Sequence, residues 1–239
     1  MEKYQQLQSY IHASSRIVFF GGAGVSTESG IPDFRSTDGL YHMQYDEPPE
    51  IILSHSYFTQ YPEKFYRFYR NKMLFPNAQP NAAHHFLTKL EQAGKLSAVV
   101  TQNIDGLHQS AGTKNVFELH GSVWRNYCTR CQKFYPLQAI LASEGIPRCD
   151  CGGIIKPDVV LYEESLDQKV LSGALHAIQN ADLLIIGGTS LAVYPAAGLI
   201  DYFEGNHLVL INKSATSRDK QADLCITDAI GEVFSKLHP

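Results

Sequence analysis

Four cysteines in this sequence are spaced as metal ligands. Cys128 and Cys131 form a C-x-x-C pair, and Cys149 and Cys151 form a C-x-C pair after seventeen intervening residues. Four thiolates in two close pairs suit a closed tetrahedral zinc site, in which no coordination position is left for water or substrate. We therefore predict one structural zinc ion that folds a small module over residues 122–156. The alternative is four reduced cysteines without a metal, and the C-x-C spacing is less common than C-x-x-C.

A glycine-rich loop follows the first predicted strand. Residues 16–20, RIVFF, form a short apolar run typical of a buried strand, and residues 21–24 read GGAG. Because glycine has no Cβ, such a loop lets backbone N–H groups approach a phosphate closely. A complete dinucleotide fingerprint requires a third glycine, where Thr27 stands, and an acidic residue at the end of a second strand. Asp46 and Glu47 follow no strand pattern, so an ordinary dinucleotide-dependent dehydrogenase is disfavoured.

Two polar segments lie at the ends of later predicted strands. Residues 101–108 read TQNIDGLH, and His120 follows a second short strand. Open α/β sheets bind their ligands at the carboxyl ends of the strands, so both segments are candidates for a site. Asn103 and Asp105 could instead cap the next helix. A single histidine is more often structural than catalytic, although imidazole is the side chain best suited to exchange protons at neutral pH.

The composition is that of a globular protein in a reducing compartment. The 239 residues are 44% hydrophobic, carry a formal net charge of −4 and include five cysteines. This charge creates no field that would recruit nucleic acid or an anionic membrane. The first residues lack the apolar core of a signal peptide, and no run approaches the roughly 18 apolar residues of a membrane span. We expect a cytoplasmic protein without specific nucleic-acid or membrane partners; its oligomeric state is not readable, and a monomer is plausible.

Strand and helix patterns alternate along most of the chain. Helices are predicted at residues 3–14, 81–93, 167–180, 195–203 and 230–237, and strands at 16–20, 97–101, 182–186, 207–211 and 223–227. This alternation predicts an α/β fold with a doubly wound, Rossmann-like parallel sheet. The Rossmann-like domain is predicted at 1–35, 76–121 and 157–239, so the chain is expected to return to the main sheet at Pro157.

A helical insertion is predicted at residues 36–75. Strand signals disappear there, and eight aromatic residues crowd between Tyr57 and Phe75. At helical spacing such a stripe indicates packing against the main domain more often than ligand contact. His84 and His85, in the helix that follows, are interpreted as ordinary core or surface histidines.

Five motifs occur together in an order that is typical of one family. Residues 22–24 and 30–35 read GAG and GIPDFR, residues 101–105 read TQNID, residues 119–122 read LHGS, and residues 188–191 read GTSL. Together with the four cysteines, these motifs closely resemble those of the sirtuins, the NAD-dependent protein lysine deacylases. The resemblance covers essentially all of residues 5–237.

The resemblance implies an NAD site and a mechanism. His120 would be the catalytic general base, acting on the ribose hydroxyls after the acyl-lysine oxygen has displaced nicotinamide. The products would be free lysine, nicotinamide and an O-acyl-ADP-ribose. Phe34 would shield the reaction from water, and Asp105 would bind the nicotinamide carboxamide. The implied cofactor contacts are Gly22, Ala23, Gly24, Thr27, Asp33, Phe34, Arg35, Gln102, Asn103, Ile104, Asp105, His120, Gly188, Thr189, Ser190, Asn212, Lys213, Cys225 and Ile230.

The resemblance also implies where an acyl-lysine protein or peptide binds. The peptide would insert as an extended strand between residues 157–164 and 188–195 through backbone hydrogen bonds, a mode that tolerates many peptide sequences. The implied substrate contacts are Val160, Tyr162, Glu163 and Val193. Many sirtuins carry glycine where Glu163 stands, so this chain adds a charge near the peptide cleft.

The acyl preference is partly readable in the helical insertion. Sirtuins that prefer succinyl or malonyl lysine carry a Tyr-x-x-Arg pair, whose guanidinium binds the acyl carboxylate. Here Tyr69 stands at the arginine position of the pair that begins at Tyr66, and Arg70 is displaced by one residue. We therefore expect acetyl-lysine, and longer neutral acyl groups, to be preferred over acidic ones.

Two functions of other classes remain open. A mono-ADP-ribosyltransferase would use the same NAD site without needing His120. A non-catalytic NAD sensor or zinc-dependent scaffold would bind NAD without releasing nicotinamide.

Overall fold

A six-stranded parallel sheet forms the centre of the larger lobe. The computed structural model describes residues 2–34 and 47–239. Its strands are, in chain order, β1 Ile17–Gly21, β2 Leu96–Thr101, β3 Val116–Glu118, β4 Gly121–Cys128, β5 Phe134–Pro136, β6 Ile155–Val159, β7 Leu183–Gly187, β8 His207–Ile211 and β9 Leu224–Ile226. The large sheet has the order β3-β2-β1-β7-β8-β9, and every neighbouring pair is parallel. The predicted doubly wound sheet is therefore confirmed, with its switch point between β1 and β7.

Helices cover both faces of this sheet. The helices are α1 Glu2–Ala13, α2 Pro49–Ile52, α3 His55–Gln60, α4 Pro62–Lys72, α5 Ala82–Gln92, α6 Leu107–Ser110, α7 Leu137–Leu141, α8 Gln168–Gln179 and α9 Ile230–Ser235. On one face α1, α5 and α9 pack with Ile17 and Phe19, and on the other α8 packs with Val18 and Phe20. Because both faces of β1 are buried, its sequence is continuously apolar rather than alternating.

Local capping explains where two of the predicted helices begin. The Asn81 side chain accepts a hydrogen bond from the Ala83 N–H at 2.9 Å at the start of α5, and Asp167 caps α8 in the same way. The predicted helix at 195–203 is instead a 3₁₀ helix, Ala196–Tyr202, with Gly198 in its middle, a residue that weakens regular α-helix. No helix within the described ranges has the length and apolar character needed to cross a membrane.

The smaller lobe contains a three-stranded antiparallel sheet of order β5-β4-β6. The expectation that the chain returns to the main sheet at Pro157 is wrong. Pro157 lies inside β6, which pairs with β4 from Gly121 opposite Val159 to Cys128 opposite Ile155. The physical reason is that β6 must run back along β4 to connect the second cysteine pair, beside the end of β4, with the cleft.

The helical insertion and the cysteine-containing module share one core. Phe65, Tyr66 and Tyr69 of α4 pack with β4, β6 and α7 residues in a single apolar cluster. The Tyr66 hydroxyl donates a hydrogen bond to the Ile155 carbonyl oxygen of β6. The interpretation of the aromatic stripe as packing is therefore confirmed, but the stripe packs mainly on the cysteine-containing module rather than on the main sheet.

Candidate active site

A cleft of about 940 Å³ lies between the two lobes, at the carboxyl ends of β1, β2, β7 and β8. Of the sequence-predicted cofactor contacts, those that line it are Gly22, Ala23, Gly24, Thr27, Asp33, Phe34, Gln102, Asn103, Ile104, Asp105, His120, Gly188, Thr189, Ser190, Asn212, Lys213 and Ile230. All four predicted substrate contacts line it as well: Val160, Tyr162, Glu163 and Val193. Cys225 does not line the cleft; its thiol contacts the Asp219 carbonyl oxygen at 3.5 Å. Arg35 lies outside the described residues.

The loops after β1 and β7 touch because both contain glycine. The Gly24 N–H donates to the Gly188 carbonyl oxygen at 2.8 Å. A Cβ added to Gly24 would lie 2.7 Å from the Gly188 Cα, and one added to Gly22 would lie 2.7 Å from the Thr189 Cβ. Any side chain at these two positions would push the loops apart, so the glycines keep a narrow, backbone-lined cradle that a dinucleotide phosphate can enter.

The neighbouring loop after β8 holds an unsatisfied polar group. The Asn212 carboxamide oxygen accepts a hydrogen bond from the Thr189 N–H at 2.9 Å. Its buried amide nitrogen has no hydrogen-bond partner within residues 2–34 and 47–239. Buried donors normally have partners, so this nitrogen fits an acceptor on a bound ligand such as a ribose hydroxyl. The cradle and this donor together fit NAD.

Asp105 lies in a network of hydrogen bonds next to the glycine loop. Its carboxylate accepts hydrogen bonds from the Ser26 hydroxyl at 2.7 Å and from the Leu107 N–H at 2.9 Å, and the Asn103 amide donates to Ser26 at 3.1 Å. Burial raises the pKa of Asp105, while these hydrogen bonds act to lower it. The network positions a carboxyl group where a carboxamide N–H₂ could donate to it. The helix-capping interpretation also holds for Asp105, because its carboxylate accepts a hydrogen bond from the first N–H of α6.

His120 is oriented by a backbone hydrogen bond. Its Nδ1 lies 2.9 Å from the Gln102 carbonyl oxygen. A carbonyl oxygen can only accept, so Nδ1 carries the proton and the neutral ring presents Nε2 as the basic nitrogen. Burial lowers the pKa of His120, although the hydrogen bond to Gln102 acts to raise it. The ring is therefore neutral, and able to accept a proton at Nε2, at neutral pH.

The residue after His120 has to be glycine. Gly121 has a φ of +76°, and a Cβ there would overlap the Asp158 carbonyl oxygen of β6. The His120 carbonyl oxygen in turn accepts a hydrogen bond from the Val160 N–H at 3.0 Å. The histidine is thereby tied to the start of the segment predicted to bind the peptide.

The four cysteine thiols form one cluster in the smaller lobe. The Sγ atoms of Cys128, Cys131, Cys149 and Cys151 all lie within 4.8 Å of one another, with 3.4 Å between Cys128 and Cys151 and 3.5 Å between Cys131 and Cys149. Sulfur atoms around a tetrahedral zinc ion at about 2.3 Å would be separated by about 3.8 Å, so the cluster fits zinc despite the C-x-C spacing. Four thiolate ligands would close the coordination shell of the ion, which would give the metal a structural role.

The sequence model of the Sir2 family matches residues 22–195 of this chain. The chain belongs to the Sir2 family. The resemblance to sirtuins is therefore confirmed, and the match includes the glycine loop, His120 and all four clustered cysteines.

Sir2 relatives match the chain over nearly its full length. An NAD-dependent protein deacetylase of Clostridium perfringens is 61% identical over 99% of this chain and 98% of its own length. A protein of the same name from Cutibacterium acnes is 55% identical over 97% of this chain and 96% of its own length.

Solved Sir2 structures show the same fold. One, a Sir2 protein with a deacetylated p53 peptide and 3'-O-acetyl ADP ribose, has a TM-score of 0.90 at 40% identity and covers 98% of this chain and 96% of its own. Another, described as Sir2 with a p53 peptide and NAD⁺, has a TM-score of 0.88 at 40% identity with the same coverage.

Two residues of this Sir2 site were missed by the sequence analysis. Ser26 bridges Asp105 and Asn103, and the Trp124 indole N–H donates to the Asp105 carbonyl oxygen at 2.7 Å. Ser26 could have been found because it lies within the glycine-loop motif. Trp124 is the only tryptophan, but its side chain reaches Asp105 from a strand of the other lobe, and no sequence spacing indicates that contact.

Proposed function

We propose that this Sir2 protein removes acetyl groups from lysine side chains of proteins in an NAD-dependent reaction that yields nicotinamide and O-acetyl-ADP-ribose. The observation that carries the proposal is the basic Nε2 of His120 in the cleft, oriented through Nδ1 by Gln102 and placed beside the dinucleotide cradle. Relatives up to 61% identical that are named NAD-dependent protein deacetylases, and Sir2 structures that hold peptides with NAD⁺ or O-acetyl ADP ribose, support it.

Different residues of the cleft have different roles in this reaction. Bound NAD supplies the electrophilic ribose carbon and the hydroxyl that accepts the acetyl group. The glycine loop and the loop at Gly188 would hold the phosphates, and Asn212 and Lys213 would contact the ribose. Phe34, which packs against the smaller-lobe core, excludes water from the reacting centre. His120 accepts a proton at Nε2 from the attacking hydroxyl.

The walls of the cleft suit an extended peptide. Val160, Tyr162 and Glu163 lie on one side, and Val193 lies on the loop after β7. A peptide strand between them would be held by backbone hydrogen bonds, so the enzyme would accept acetylated lysines in many sequences. A Sir2 structure with an acetylated peptide and one with a propionylated peptide support an acylated peptide as the substrate.

We further propose a preference for neutral acyl groups. Arg70, the arginine nearest the position that would bind an acyl carboxylate, donates to the Ile140 carbonyl oxygen at 3.1 Å and to the Ser143 hydroxyl at 2.7 Å. These contacts direct its guanidinium toward α7. The Arg70 guanidinium is therefore held away from the cleft. An acidic acyl group in the cleft would then lack the cation that its carboxylate requires.

The test is to incubate the purified protein with an acetyl-lysine peptide with and without NAD, and to follow peptide mass, nicotinamide and O-acetyl-ADP-ribose. Deacetylation that needs NAD, with one nicotinamide released per peptide, supports the proposal. An intact peptide with folded, zinc-loaded protein contradicts it. The variant His120→Tyr separates the main alternative, because an ADP-ribosyltransferase would keep transferring ADP-ribose to protein when deacetylation is lost.

A cytoplasmic location is part of the same proposal. None of the five cysteines forms a disulfide in the structure, which suits a reducing compartment. Fractionation of cells that produce the protein would test it, and recovery from an oxidising compartment would contradict it.

A further inference from the structure

Glu163 has a backbone conformation that is unusual for its residue type. Its φ is +75°, in the left-handed region that glycine adopts without strain and that a residue with a Cβ rarely adopts. It lies in the segment 160–163 that lines the cleft on the predicted peptide side. Such a conformation persists only where surrounding contacts hold it, so the contacts of Glu163 are informative.

Those contacts lead to the helical insertion. The Glu163 carboxylate accepts hydrogen bonds from the Ser56 N–H at 2.8 Å and from the Ser56 hydroxyl at 2.7 Å, through the same oxygen. These bonds lower the pKa of Glu163, so the group stays ionised at neutral pH. The negative charge of Glu163, which lies near the peptide cleft, is therefore bound by the first turn of α3.

The two neighbours of Glu163 bind the same turn. The His55 N–H donates to the Tyr162 carbonyl oxygen at 3.0 Å, and the Tyr162 N–H donates to the Leu53 carbonyl oxygen at 3.0 Å. Glu164 lies 2.8 Å from His55 Nδ1. Residues 162–164 therefore fasten segment 160–163 to residues 53–56, and Val193 lines the same cleft.

We propose that Glu163 is a positioning residue for the peptide substrate, whose carboxylate clamps the peptide-binding segment to the helical insertion at Ser56. This inference rests on the proposed function, because it assigns segment 160–163 to peptide binding. A preorganised strand edge lowers the entropy that the peptide must lose on binding. The clamp therefore lowers the KM for the peptide and has little effect on the KM for NAD or on the rate of the chemical step.

Four variants separate the clamp from a direct charge contact with the peptide. Glu163→Ala removes the acceptor and keeps the strained backbone, and Ser56→Ala removes one of its two donors. Glu163→Gln removes the charge but keeps a side-chain oxygen that can accept from Ser56. Glu204→Gln is the matched control, since Glu204 is exposed and lies outside the cleft.

We expect Glu163→Ala to raise the peptide KM about threefold, with kcat and the NAD KM unchanged. A threefold change corresponds to about 0.7 kcal/mol, because a tenfold change corresponds to about 1.4 kcal/mol. Glu163→Gln should raise the peptide KM less than Glu163→Ala does, because its amide oxygen can still accept from Ser56, and Glu204→Gln should stay close to wild type. Ser56→Ala should have a smaller effect and should add nothing in the Glu163→Ala background, because both changes break the same contact. The proposal is overturned if Glu163→Gln is as impaired as Glu163→Ala, or if the two alanine changes are additive.

A measurement without substrate keeps the clamp testable apart from the activity. Amide hydrogen exchange of residues 53–57 and 160–164 should be faster in Glu163→Ala than in Glu163→Gln or wild type. Unchanged exchange refutes the clamp. An inactive wild-type enzyme refutes the proposed function, whatever the exchange result.

Discussion

Tyr66 and Tyr69 show how two identical side chains, one helical turn apart in α4, can have opposite energetic roles. Both are fully buried, and burial raises the pKa of each hydroxyl, so both stay neutral. The Tyr66 hydroxyl donates to Ile155, whereas the Tyr69 hydroxyl has no hydrogen-bond partner among the described residues. A buried polar group without a partner costs free energy that a phenyl ring would not.

This difference predicts opposite results for two otherwise equal substitutions. Tyr66→Phe should lower the free energy of unfolding by about 1–2 kcal/mol, because the Ile155 carbonyl oxygen loses a donor. Tyr69→Phe should leave it unchanged or raise it by up to about 1 kcal/mol. Urea denaturation of both variants measures the difference, and equal destabilisation would contradict it.

His120 determines the expected pH dependence of catalysis. Only its neutral form can accept a proton, and burial lowers its pKa below the ordinary value of 6.5. The peptide kcat/KM should therefore be constant near neutral pH and fall as the pH drops below 6.5. His120→Ala should reduce kcat/KM by about 10²- to 10⁴-fold. A pH–rate profile with an acid limb centred above 6.5 would show that the ring is not buried as described.

At the scale of elements, α5 and α6 meet through a buried pair of histidines. The rings of His84 and His108 lie 4.7 Å apart, and both side chains are almost completely buried. The His84 Nδ1 accepts a hydrogen bond from the Asn81 N–H at 3.2 Å, which completes the cap of α5. Burial lowers the pKa of His84 to about 4 and that of His108 well below its usual range. The interpretation of His84 and His85 as ordinary core or surface histidines is confirmed, since His84 is buried and His85 is exposed.

The pair predicts loss of stability in acid. The unfolded chain takes up protons near pH 6.5 and the folded chain only at lower pH, so stability is full above about pH 6.5 and declines as the pH falls toward 4. For His84 alone the loss reaches about 3 kcal/mol, at 1.36 kcal/mol per pKa unit. Urea denaturation from pH 7 to 5 should show a smaller pH dependence in His84→Asn than in wild type. His85→Asn, at the exposed neighbouring position, is the control, and a matching decrease there would contradict the assignment.

At the scale of the whole molecule, the cysteine cluster supports more than its own module. Phe65, Tyr66 and Tyr69 of the helical insertion pack in the same core as Cys128 and Cys149. Metal binding by the four thiolates therefore stabilises residues from two separate parts of the sequence. The parallel sheet has cores of its own on both faces.

Removal of the metal should accordingly unfold the smaller lobe as a unit. We expect one zinc ion per chain, and a chelator or Cys131→Ser should speed amide exchange in both 49–72 and 122–156 while the strands of the large sheet stay protected. Deacetylation should be lost, because one wall of the cleft belongs to this lobe. Cys225→Ser, outside the cluster, should retain zinc and protection. Unchanged exchange in 49–72 after complete zinc loss would contradict a shared core.

Much of this protein follows from its sequence alone, because the signals are local. The apolar run of β1, the predicted helices that start near residues 81 and 167, and the spacing of the cysteines each depend on neighbouring residues, and the structure contains the strand, both helices and the cysteine cluster. The motif order identified the family, and the described cleft contains nearly every predicted contact. Cys225 is the exception among the described ones, since a position inside the short strand β9 does not by itself determine which face of the sheet its side chain joins.

What the tertiary structure decided are contacts between residues far apart in sequence. The pairing of β6 with β4 moved Pro157 out of the main sheet, and the shared core joined two insertions that the sequence presents as separate. Trp124 reaches Asp105, and Ser56 binds Glu163 across 107 positions. Periodicity and capping carry no information about such partners. These contacts depend on how the two lobes meet, which only the packing of the folded chain determines.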